Sequence, residues 1–337
     1  MKTRLKRNAS ALPATMQAAA VDRFGPPSRL KLHELPVPRP APNEVLISLD
    51  TAGVGVWDAS IRDGSWRKGR PRFPLVPGVD GAGVVVAKGS RAKRFQIGDR
   101  VYAYEFGNRQ GGFYAQFAAA SAEHVARVPK GLDLREAGAA ATTGLTALQG
   151  VSALRLRPGS KLLVFGASGA VGTMAVQFAA AQRAAVIATA SGKTAARLVA
   201  SLGASAVIDA RSATAVDELR RLAPEGLDAV LALAGGDELE RLLDFVKPGG
   251  RVVYPNGVEP APRKRRGLRV ESYDGVASPA EFAKLNRALT RTGARVPIAA
   301  SYPLARAAEA HRRLEGDHVL GRIVLKVNQR SKRRDPA

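Results

Sequence analysis

The sequence predicts an α/β protein of two domains, a β-rich, partly open barrel followed by a doubly wound parallel sheet with helices on both faces. Three observations support this prediction. The chain has 337 residues, more than a single hydrophobic core usually organises. Short apolar runs separated by Gly and Pro continue to about Arg127, and a regular strand–helix alternation begins near Lys161. The apolar content of 45% is sufficient for two sizeable cores.

The first domain is predicted over residues 16–135, after an extension at residues 1–15 that we expect to be flexible. Its apolar runs are short and lie between turn residues, as in EVLISLDTAG, GAGVVVAKG, GDRVYAYEF and FYAQFAAA. This spacing is typical of short strands joined by turns, and it favours a partly open barrel.

The second domain is predicted over residues 136–275 and starts with an Ala-rich helix. Five apolar strands follow, KLLVF, AAVIATA, ASAVIDA, LDAVLALA and GRVVYPNG, with helical segments between them. That alternation specifies a parallel sheet. Residues 276–328 contain a predicted helix, SYPLARAAEAHRRL, and a strand, GRIVLKV, which we expect to return to the first domain. Residues 329–337 are predicted to be a flexible tail.

The composition excludes several kinds of chemistry. Cysteine is absent, and the four histidines lack the spacing of a local metal motif, so we expect no disulfide, no cysteine nucleophile and no metal site. No apolar run approaches the roughly 20 residues that span a bilayer. The opening MKTRLKRNASALPAT lacks the apolar segment of a secretory signal. These features predict a cytoplasmic protein that does not associate with membranes.

The net charge of +23 raises the question of polyanion binding. The basic residues are spread along the chain, with denser runs in the first seven residues, at Arg263–Arg266 and at Arg330–Arg334. No basic motif interleaved with aromatic residues is present, so the charge predicts solvated faces and weak polyanion attraction rather than a specific nucleic-acid site.

A glycine-rich turn gives the strongest local signal. It directly follows a hydrophobic strand and opens a helix, which is the context of a dinucleotide-binding turn. In this turn Gly169 would let the backbone approach a pyrophosphate, and Gly172 would let the helix pack closely on the sheet. Ala167 stands where the usual pattern has its first glycine. The turn reads Gly166-Ala167-Ser168-Gly169-Ala170-Val171-Gly172. The alternative is a turn that serves packing alone.

The end of the second strand indicates which dinucleotide binds. NAD-binding enzymes usually carry an acid there for the ribose 2′-hydroxyl, but residues 137–208 contain no Asp or Glu. Ala190 and Ser191 are instead followed by Lys193 and Arg197, which suit a 2′-phosphate. We therefore predict NADPH as the cofactor. The alternative is that both cations are solvated helix residues.

The chain resembles the medium-chain dehydrogenases/reductases, and within them the zinc-independent, zeta-crystallin-like quinone oxidoreductases. The resemblance covers residues 16–327 and is carried by EVLISLDTAGVGVWDASIRDG, FPLVPGVDGAGVVVAKG, FQIGDRVYAY, GGFYAQF, TTGLTALQG, VFGASGAVG, VKPGGRVV and HVLGRIVLKV. It implies a GroES-like catalytic domain beside a Rossmann domain, a cleft between them that holds the nicotinamide and the substrate, and a homodimer.

The positions of zinc ligands in the zinc-dependent branch carry other residues here. The cysteine ligand would fall near Gly55, and the next His-Glu pair would fall at Val79-Asp80. We therefore expect catalysis without zinc, which favours an already electrophilic acceptor. The chain also departs from the quinone reductase pattern, since Gly55 replaces a frequent Asn, and Ser60 and Trp66 stand where tyrosines can line the pocket. The predicted substrate pocket comprises Gly55, Trp57, Ser60 and Trp66.

Further cofactor contacts follow from the resemblance and from strand ends, with ordinary turn or helix packing as the alternative for each. They are Thr142, Thr146, Ala234, Gly235, Tyr254, Asn256, Gly257, Gly321 and Arg322. No general acid stands out, and Asp58, Tyr104 and Tyr114 are candidates by location only. Asp58 can equally be a buried helix cap, and water can protonate a quinone product.

We therefore predict a zinc-independent, NADPH-dependent oxidoreductase that transfers hydride to a quinone or a similar electrophilic acceptor. Two alternatives remain open. One is an NADPH-dependent reductase of α,β-unsaturated carbonyls, of the enone or enoyl reductase type. The other is a non-catalytic NADPH-binding regulator or polyanion binder.

Overall fold

The structure is a computed structural model that describes residues 12–66, 69–108, 110–316 and 318–328. The predicted extension therefore lies outside the described residues up to residue 11, as does the tail from residue 329. Thr15 is already part of a strand, and its hydroxyl donates to Glu34 at 2.6 Å.

The first part of the chain forms strands around one short helix. The elements are β1 Thr15–Ala20, β2 Lys31–Pro36, β3 Glu44–Val54, α1 Val56–Asp63, β4 Asp80–Lys88, β5 Arg100–Tyr104, β6 Phe117–Ser121 and β7 Val125–Arg127. Three-residue 3₁₀ helices lie at Pro27–Arg29 and Ala122–His124. β3 is the central strand, because its side chains are buried along nearly all its length and it pairs with three other strands.

The second part alternates strands and helices, as predicted. Its elements are α2 Leu134–Ala153, β8 Lys161–Phe165, α3 Ala170–Ala181, β9 Ala185–Thr189, α4 Lys193–Ser201, β10 Ala206–Ile208, α5 Ala215–Leu222, β11 Leu227–Ala232, α6 Asp237–Leu243, β12 Val246–Pro255 and β13 Arg269–Tyr273. Their strands form a parallel sheet in the order β10-β9-β8-β11-β12-β13. This is the doubly wound order of dinucleotide-binding folds, so the predicted fold class is confirmed.

The sixth strand, β13, differs from the expected set of five. Its sequence RVESY is polar and no residue in it is fully buried. An edge strand needs only one paired side, so it lacks the apolar run by which buried parallel strands are found.

The end of the chain divides between the two domains. Its elements are α7 Pro279–Thr292, β14 Ile298–Pro303, a 3₁₀ turn at Leu304–Arg306, α8 Ala307–Gly316 and β15 Arg322–Lys326. α7 packs against α2 and α3, with Phe282 and Leu285 in the core of the dinucleotide-binding domain. β14 and β15 extend the first domain's sheet to the order β14-β15-β3-β4-β5-β7, with β6 on β3. This strand order does not close into a complete barrel, which agrees with the prediction of a partly open barrel. The residues SYP, predicted as helix, belong to β14.

α2 joins the two domains through close backbone packing. Its first turn is capped by Asp133 and Glu136, each of which accepts a hydrogen bond from the other's backbone N–H. A Cβ added at Gly138 would lie 2.7 Å from the Thr51 side chain, and one at Gly144 would lie 2.9 Å from Leu285. Glycine at these two positions therefore lets one helix lie against both β3 and α7. No helix among the described residues has the length and apolarity to cross a membrane.

Candidate active site in the cleft between the domains

The glycine-rich turn leads from β8 into α3 and its three glycines have different roles. Gly166 has a φ of +82°, which favours glycine, and its N–H donates to Thr189 Oγ1 at 2.9 Å. A Cβ at Gly172 would lie 2.4 Å from the Gly166 carbonyl oxygen, so close packing requires glycine there. A Cβ at Gly169 would have one neighbour within 4 Å, that same oxygen at 3.6 Å. The packing of the described residues therefore does not explain why glycine stands at this position.

The returning segment before β15 lies directly on this turn. Gly321 N–H donates to the Ser168 carbonyl at 2.9 Å, and Gly169 and Gly321 form an isolated bridge. Ser168 Oγ lies 2.9 Å from His318 Nε2. Gly321 has a φ of +92° and a Cβ there would lie 2.1 Å from the Pro297 carbonyl. The two domains thus meet at the start of the predicted dinucleotide helix, where Ala170 and Val171 form the first turn and Ala167 is buried.

The floor of the cleft contains a buried ion pair. Arg322 Nη2 donates to Asp80 Oδ1 at 2.8 Å, and Asp80 Oδ2 accepts from the Thr142 backbone N–H at 3.1 Å. Asp80 is fully buried and the Arg322 side chain is 8% exposed. A Cβ at Gly55 would lie 2.9 Å from Arg322 Nη1, so the guanidinium occupies the space beside Gly55. Asp80 therefore joins β4, α2 and β15.

Two polar atoms at this floor have no protein partner. Thr142 Oγ1 and Arg322 Nε are buried and make no hydrogen bond within the part of the chain that the structure describes. A buried polar group without a partner is costly, and a ligand that supplies an acceptor would remove that cost. Both residues were predicted to contact the cofactor.

Asp58 caps α1 beneath this floor. Its Oδ2 accepts from the Gly55 N–H at 2.7 Å, and its Oδ1 accepts from the Val79 N–H at 3.0 Å. The residue is fully buried. Burial raises the pKa of Asp58 to about 7, the Arg322 guanidinium opposes this rise, and the Asp80 carboxylate adds to it. The structure thus places Asp58 as a helix cap, which excludes direct contact with an acceptor.

Tyr114 also lies in the core rather than in the cleft. Its hydroxyl is 3.1 Å from His311 Nε2, and Arg62 Nη1 is 3.1 Å from His311 Nδ1. Arg62 can only donate, so Nδ1 accepts and Nε2 carries the proton that His311 donates to Tyr114. Tyr114 is fully buried, and burial followed by the Asp58 carboxylate raises its pKa well above the usual value. Tyr114 is therefore not in a position to give a proton to an acceptor.

Tyr104 is the one catalytic candidate of the three that is partly exposed at the cleft. It ends β5 and is paired in register with Asp80. Burial, followed by the carboxylates of Asp80 and Asp274, raises the pKa of Tyr104 to about 12, so its hydroxyl is protonated at neutral pH. Within the described residues that hydroxyl has no hydrogen-bond partner, which leaves it free for a ligand.

An aromatic cluster forms the wall of the cleft above α1. Phe106 contacts Trp57 and Trp66 edge to face, with ring centroids 5.2 Å and 4.0 Å apart. Trp57 also reaches the other domain, because a Cβ at Gly257 would lie 2.9 Å from its ring. Sequence reasoning missed Phe106, although it follows β5 at the same edge as Tyr104. Ser60 contributes its carbonyl, which accepts from the Trp66 N–H at 3.1 Å.

A cavity of about 900 Å³ adjoins this cluster on the side of the first domain. Trp66, Ile61, Phe24 and Val79 are among its lining residues, all of which lie between residues 16 and 117. The predicted pocket residue Trp66 therefore lines this cavity and also contacts Phe106.

The other predicted cofactor residues, which follow the fourth and fifth strands of the parallel sheet or lie on α2, have different surroundings. Asn256 Nδ2 donates to Asp274 at 2.9 Å, and a Cβ at Gly275 would lie 2.4 Å from Thr146 Oγ1. Gly235 packs against the Pro260 carbonyl, which a Cβ would approach to 1.8 Å. Ala234 is exposed beside it, and Tyr254 is half-buried against the α5–α6 side of the sheet. Packing alone thus accounts for Gly235.

Two further strand ends meet where the adenosine end of a dinucleotide is expected. The Ala190 N–H donates to the Ile208 carbonyl at 3.0 Å, and Ser191 Oγ donates to Asp209 Oδ1 at 2.9 Å. Lys193 and Arg197 are exposed on the first turns of α4 and have no carboxylate partner among the described residues. Asp209 directly follows the segment in which no acid was found.

Two family models match the chain, the alcohol dehydrogenase GroES-like domain over residues 41–130 and zinc-binding dehydrogenase over residues 202–325. The quinone oxidoreductase of Mus musculus is 31% identical over 326 residues, which cover 92% of this chain and 97% of that protein. The chain belongs to the medium-chain dehydrogenase/reductase superfamily. The resemblance inferred from the motifs is thereby confirmed, and the chain is an oxidoreductase of the quinone oxidoreductase type.

Solved structures of this superfamily share the whole fold. An NAD-dependent alcohol dehydrogenase has a TM-score of 0.86 at 30% identity and covers 93% of this chain and 100% of its own. An Escherichia coli quinone oxidoreductase complexed with NADPH has a TM-score of 0.83 at 26% identity, with 92% and 99% covered. These two proteins use different nucleotides. In the described part of this chain, no three His, Cys, Asp or Glu side chains are grouped so as to hold a metal ion.

Proposed function

We propose that this oxidoreductase uses NADPH and transfers hydride, without zinc, to a quinone or a similar electrophilic acceptor. The observation that carries the proposal is the open surface of Gly169, directly beside the interdomain bridge to Gly321. Thr142 Oγ1 and Arg322 Nε are buried and have no hydrogen-bond partner among the described residues. A dinucleotide fits this arrangement, because the amides at the start of α3 bind phosphate and the nicotinamide end can supply hydrogen-bond partners for these two atoms.

The cleft floor would hold the nicotinamide end through Thr142 and Arg322. The hydroxyl of Thr142 has no other partner, and the Arg322 guanidinium retains donors beyond the one that binds Asp80. The Asp80 ion pair fixes the direction of that guanidinium, so a ligand meets a positioned cation. When bound, NADPH supplies the hydride, and these residues orient it toward the acceptor wall.

The choice of NADPH rests on the cations of α4. Lys193 and Arg197 lie one turn apart, and neither has a carboxylate partner in the described residues. A 2′-phosphate provides the acceptors that two such cations favour.

The acceptor wall consists of aromatic rings and no metal ligands. Trp57, Phe106 and Trp66 present ring edges and faces on which a planar acceptor can stack. The zinc-ligand positions carry Gly55, Val79 and Asp80, and the Asp80 carboxylate is paired with Arg322. Without a Lewis acid there, an acceptor that is already electrophilic is favoured. The net reaction is acceptor plus NADPH plus one proton, giving the reduced acceptor and NADP⁺.

The free hydroxyl of Tyr104 favours the second candidate reaction, reduction of an α,β-unsaturated carbonyl. A reduced quinone takes its proton from water, whereas a carbon centre benefits from a positioned acid. Tyr104 is protonated at neutral pH, and its hydroxyl has no hydrogen-bond partner among the described residues. The acceptor preference of the enzyme separates the two reactions.

Replacement of Lys193 tests the nucleotide assignment. We expect Lys193→Ala to raise the KM for NADPH by about tenfold and to leave the KM for NADH within about twofold, because only the 2′-phosphate needs the ammonium. Lys130→Ala, which removes an exposed ammonium from the other domain, is the matched control and should change neither value. Equal effects of Lys193→Ala on both nucleotides would remove the 2′-phosphate role.

A further inference from the structure

We propose that Asp209 is a specificity-determining residue that lowers the preference for NADPH and allows a 2′-hydroxyl nucleotide to bind. The inference rests on the proposed function, since it concerns the 2′ position of the nucleotide held by Lys193. Asp209 follows β10, the third strand of the parallel sheet in chain order, whereas Lys193 follows β9, the second strand.

The sheet brings Asp209 to the 2′-phosphate site. β9 and β10 are parallel neighbours, with Thr189 opposite Ile208. The residues that follow these two strands therefore lie beside each other at the carboxyl ends of the strands. Ser191 Oγ donates to Asp209 Oδ1 at 2.9 Å, and the Arg211 backbone N–H donates to the same oxygen at 3.1 Å. These two hydrogen bonds fix the carboxylate next to the start of α4.

The second carboxylate oxygen is open to a ligand. Asp209 is partly exposed, and its Oδ2 has no hydrogen-bond partner within the described residues. A ribose 2′-hydroxyl can donate to such an oxygen, as it does to the acid of NAD-binding turns. A 2′-phosphate can only accept, so it gains no bond there and is repelled by the charge.

Ser191 adds to the same effect. It stands between Ala190 and the first residues of α4, where a hydroxyl would otherwise donate to a 2′-phosphate. Its one proton is directed to Asp209. The Asp209 carboxylate therefore weakens binding of a 2′-phosphate in two ways. Its charge repels the phosphate, and it occupies the proton of the Ser191 hydroxyl.

The local charge balance still favours a 2′-phosphate. Lys193 and Arg197 are exposed cations on α4, and the exposed Arg211 lies two residues after Asp209, so this part of the chain carries three cations and one carboxylate. We therefore expect the natural enzyme to accept both nucleotides with a moderate preference for NADPH, and removal of the Asp209 charge to increase that preference.

Asp209→Asn is the direct test, because the amide oxygen can still accept from Ser191 and from the Arg211 N–H while the charge is lost. Dissociation constants for NADPH and NADH are measured by titration of the intact protein. We expect the constant for NADPH to fall by about three- to tenfold and the constant for NADH to stay the same or rise. Adenosine 2′,5′-bisphosphate should follow NADPH, and adenosine 5′-monophosphate should follow NADH.

Two companion variants separate charge from other effects. Glu225→Gln removes an exposed carboxylate in the turn before β11. This turn lies at the amino ends of the parallel strands, away from Asp209, so the substitution should change neither constant. Ser191→Ala leaves the Asp209 charge in place and should not increase the preference for NADPH.

The outcomes distinguish this inference from the proposed function. If the natural protein binds both nucleotides and Asp209→Asn leaves their ratio unchanged, the role of Asp209 is overturned and the proposed function stands. A higher NADPH preference in Ser191→Ala would also overturn it. If the natural protein binds neither nucleotide, both proposals fail.

Discussion

The buried carboxylates beneath the cleft predict a pH dependence of stability that one substitution reveals. Asp58 and Asp80 both lie near the Arg322 cation, and both carboxylates are fully buried. Burial raises the pKa of Asp58 from 3.8 to about 7. The folded state therefore holds this proton more tightly than the unfolded state, and the stability that it contributes is lost as the pH rises toward 7.

The magnitude follows from the two pKa values. At about 1.4 kcal/mol per pKa unit, Asp58 should lower the free energy of unfolding by about 2–3 kcal/mol between pH 5 and pH 8. His311 acts in the opposite direction. Burial, followed by the Arg62 charge, lowers the pKa of His311 from 6.5 to about 3, so stability rises by about 2 kcal/mol over the same interval. The two contributions of the natural protein nearly cancel.

Asp58→Asn removes one contribution and leaves the other. An asparagine can accept from only one of the two backbone N–H groups that Asp58 binds, so we expect a loss of stability of about 1–3 kcal/mol at pH 5. Because the variant has no carboxyl to titrate at this position, its free energy of unfolding should rise by about 2–3 kcal/mol more from pH 5 to pH 8 than that of the natural protein.

Urea unfolding at pH 5, 6, 7 and 8 measures this difference. Asp237→Asn, an exposed aspartate on α6, is the control and should follow the natural protein. If Asp58→Asn shows the same pH profile as the natural protein, Asp58 does not titrate in this range and burial does not raise its pKa to this extent.

Two further predictions concern the cleft itself. Gly169→Ala should leave thermal stability unchanged, because its φ of −73° and open surroundings accept a methyl group, yet it should weaken NADPH binding by roughly tenfold or more. Gly172→Ala should lower the free energy of unfolding by about 1–3 kcal/mol, because its methyl group would meet the Gly166 carbonyl. Thermal unfolding and nucleotide titration of both variants measure this difference between the two glycines. Tyr104→Phe should lower kcat for an enone by about 100-fold and change kcat for a quinone little, with Tyr302→Phe as the control. Equal losses with both acceptors would show that Tyr104 positions the substrate and does not supply the proton.

The fold could be predicted because apolar runs and glycine positions report local geometry. The strands of the parallel sheet are continuous apolar segments, and the turn after KLLVF has the glycines that its φ values and close packing require. β13 was not predicted, because an edge strand that is paired on one side only can be polar.

The site was predictable where it depends on the backbone and not where it depends on side chains brought together from distant segments. Asp209 lies one residue beyond the stretch without acids, and only the pairing of β9 with β10 places it beside Ser191. The same strand-end rule, applied to the third strand, would have found it. Phe106 follows β5 in the same way. The burial of Tyr114 against His311 has no sequence signal, because the two residues are 197 positions apart.

The decisive measurement is the oxidation of NADPH by the purified protein with a panel of quinones and enones, with NADH in parallel and a metal chelator present. We expect turnover with both nucleotides, a preference for NADPH, a quinone among the best acceptors and no effect of the chelator. Loss of turnover on chelation, or tight nucleotide binding without oxidation by any acceptor, would contradict the assignment of a zinc-independent NADPH-dependent reductase.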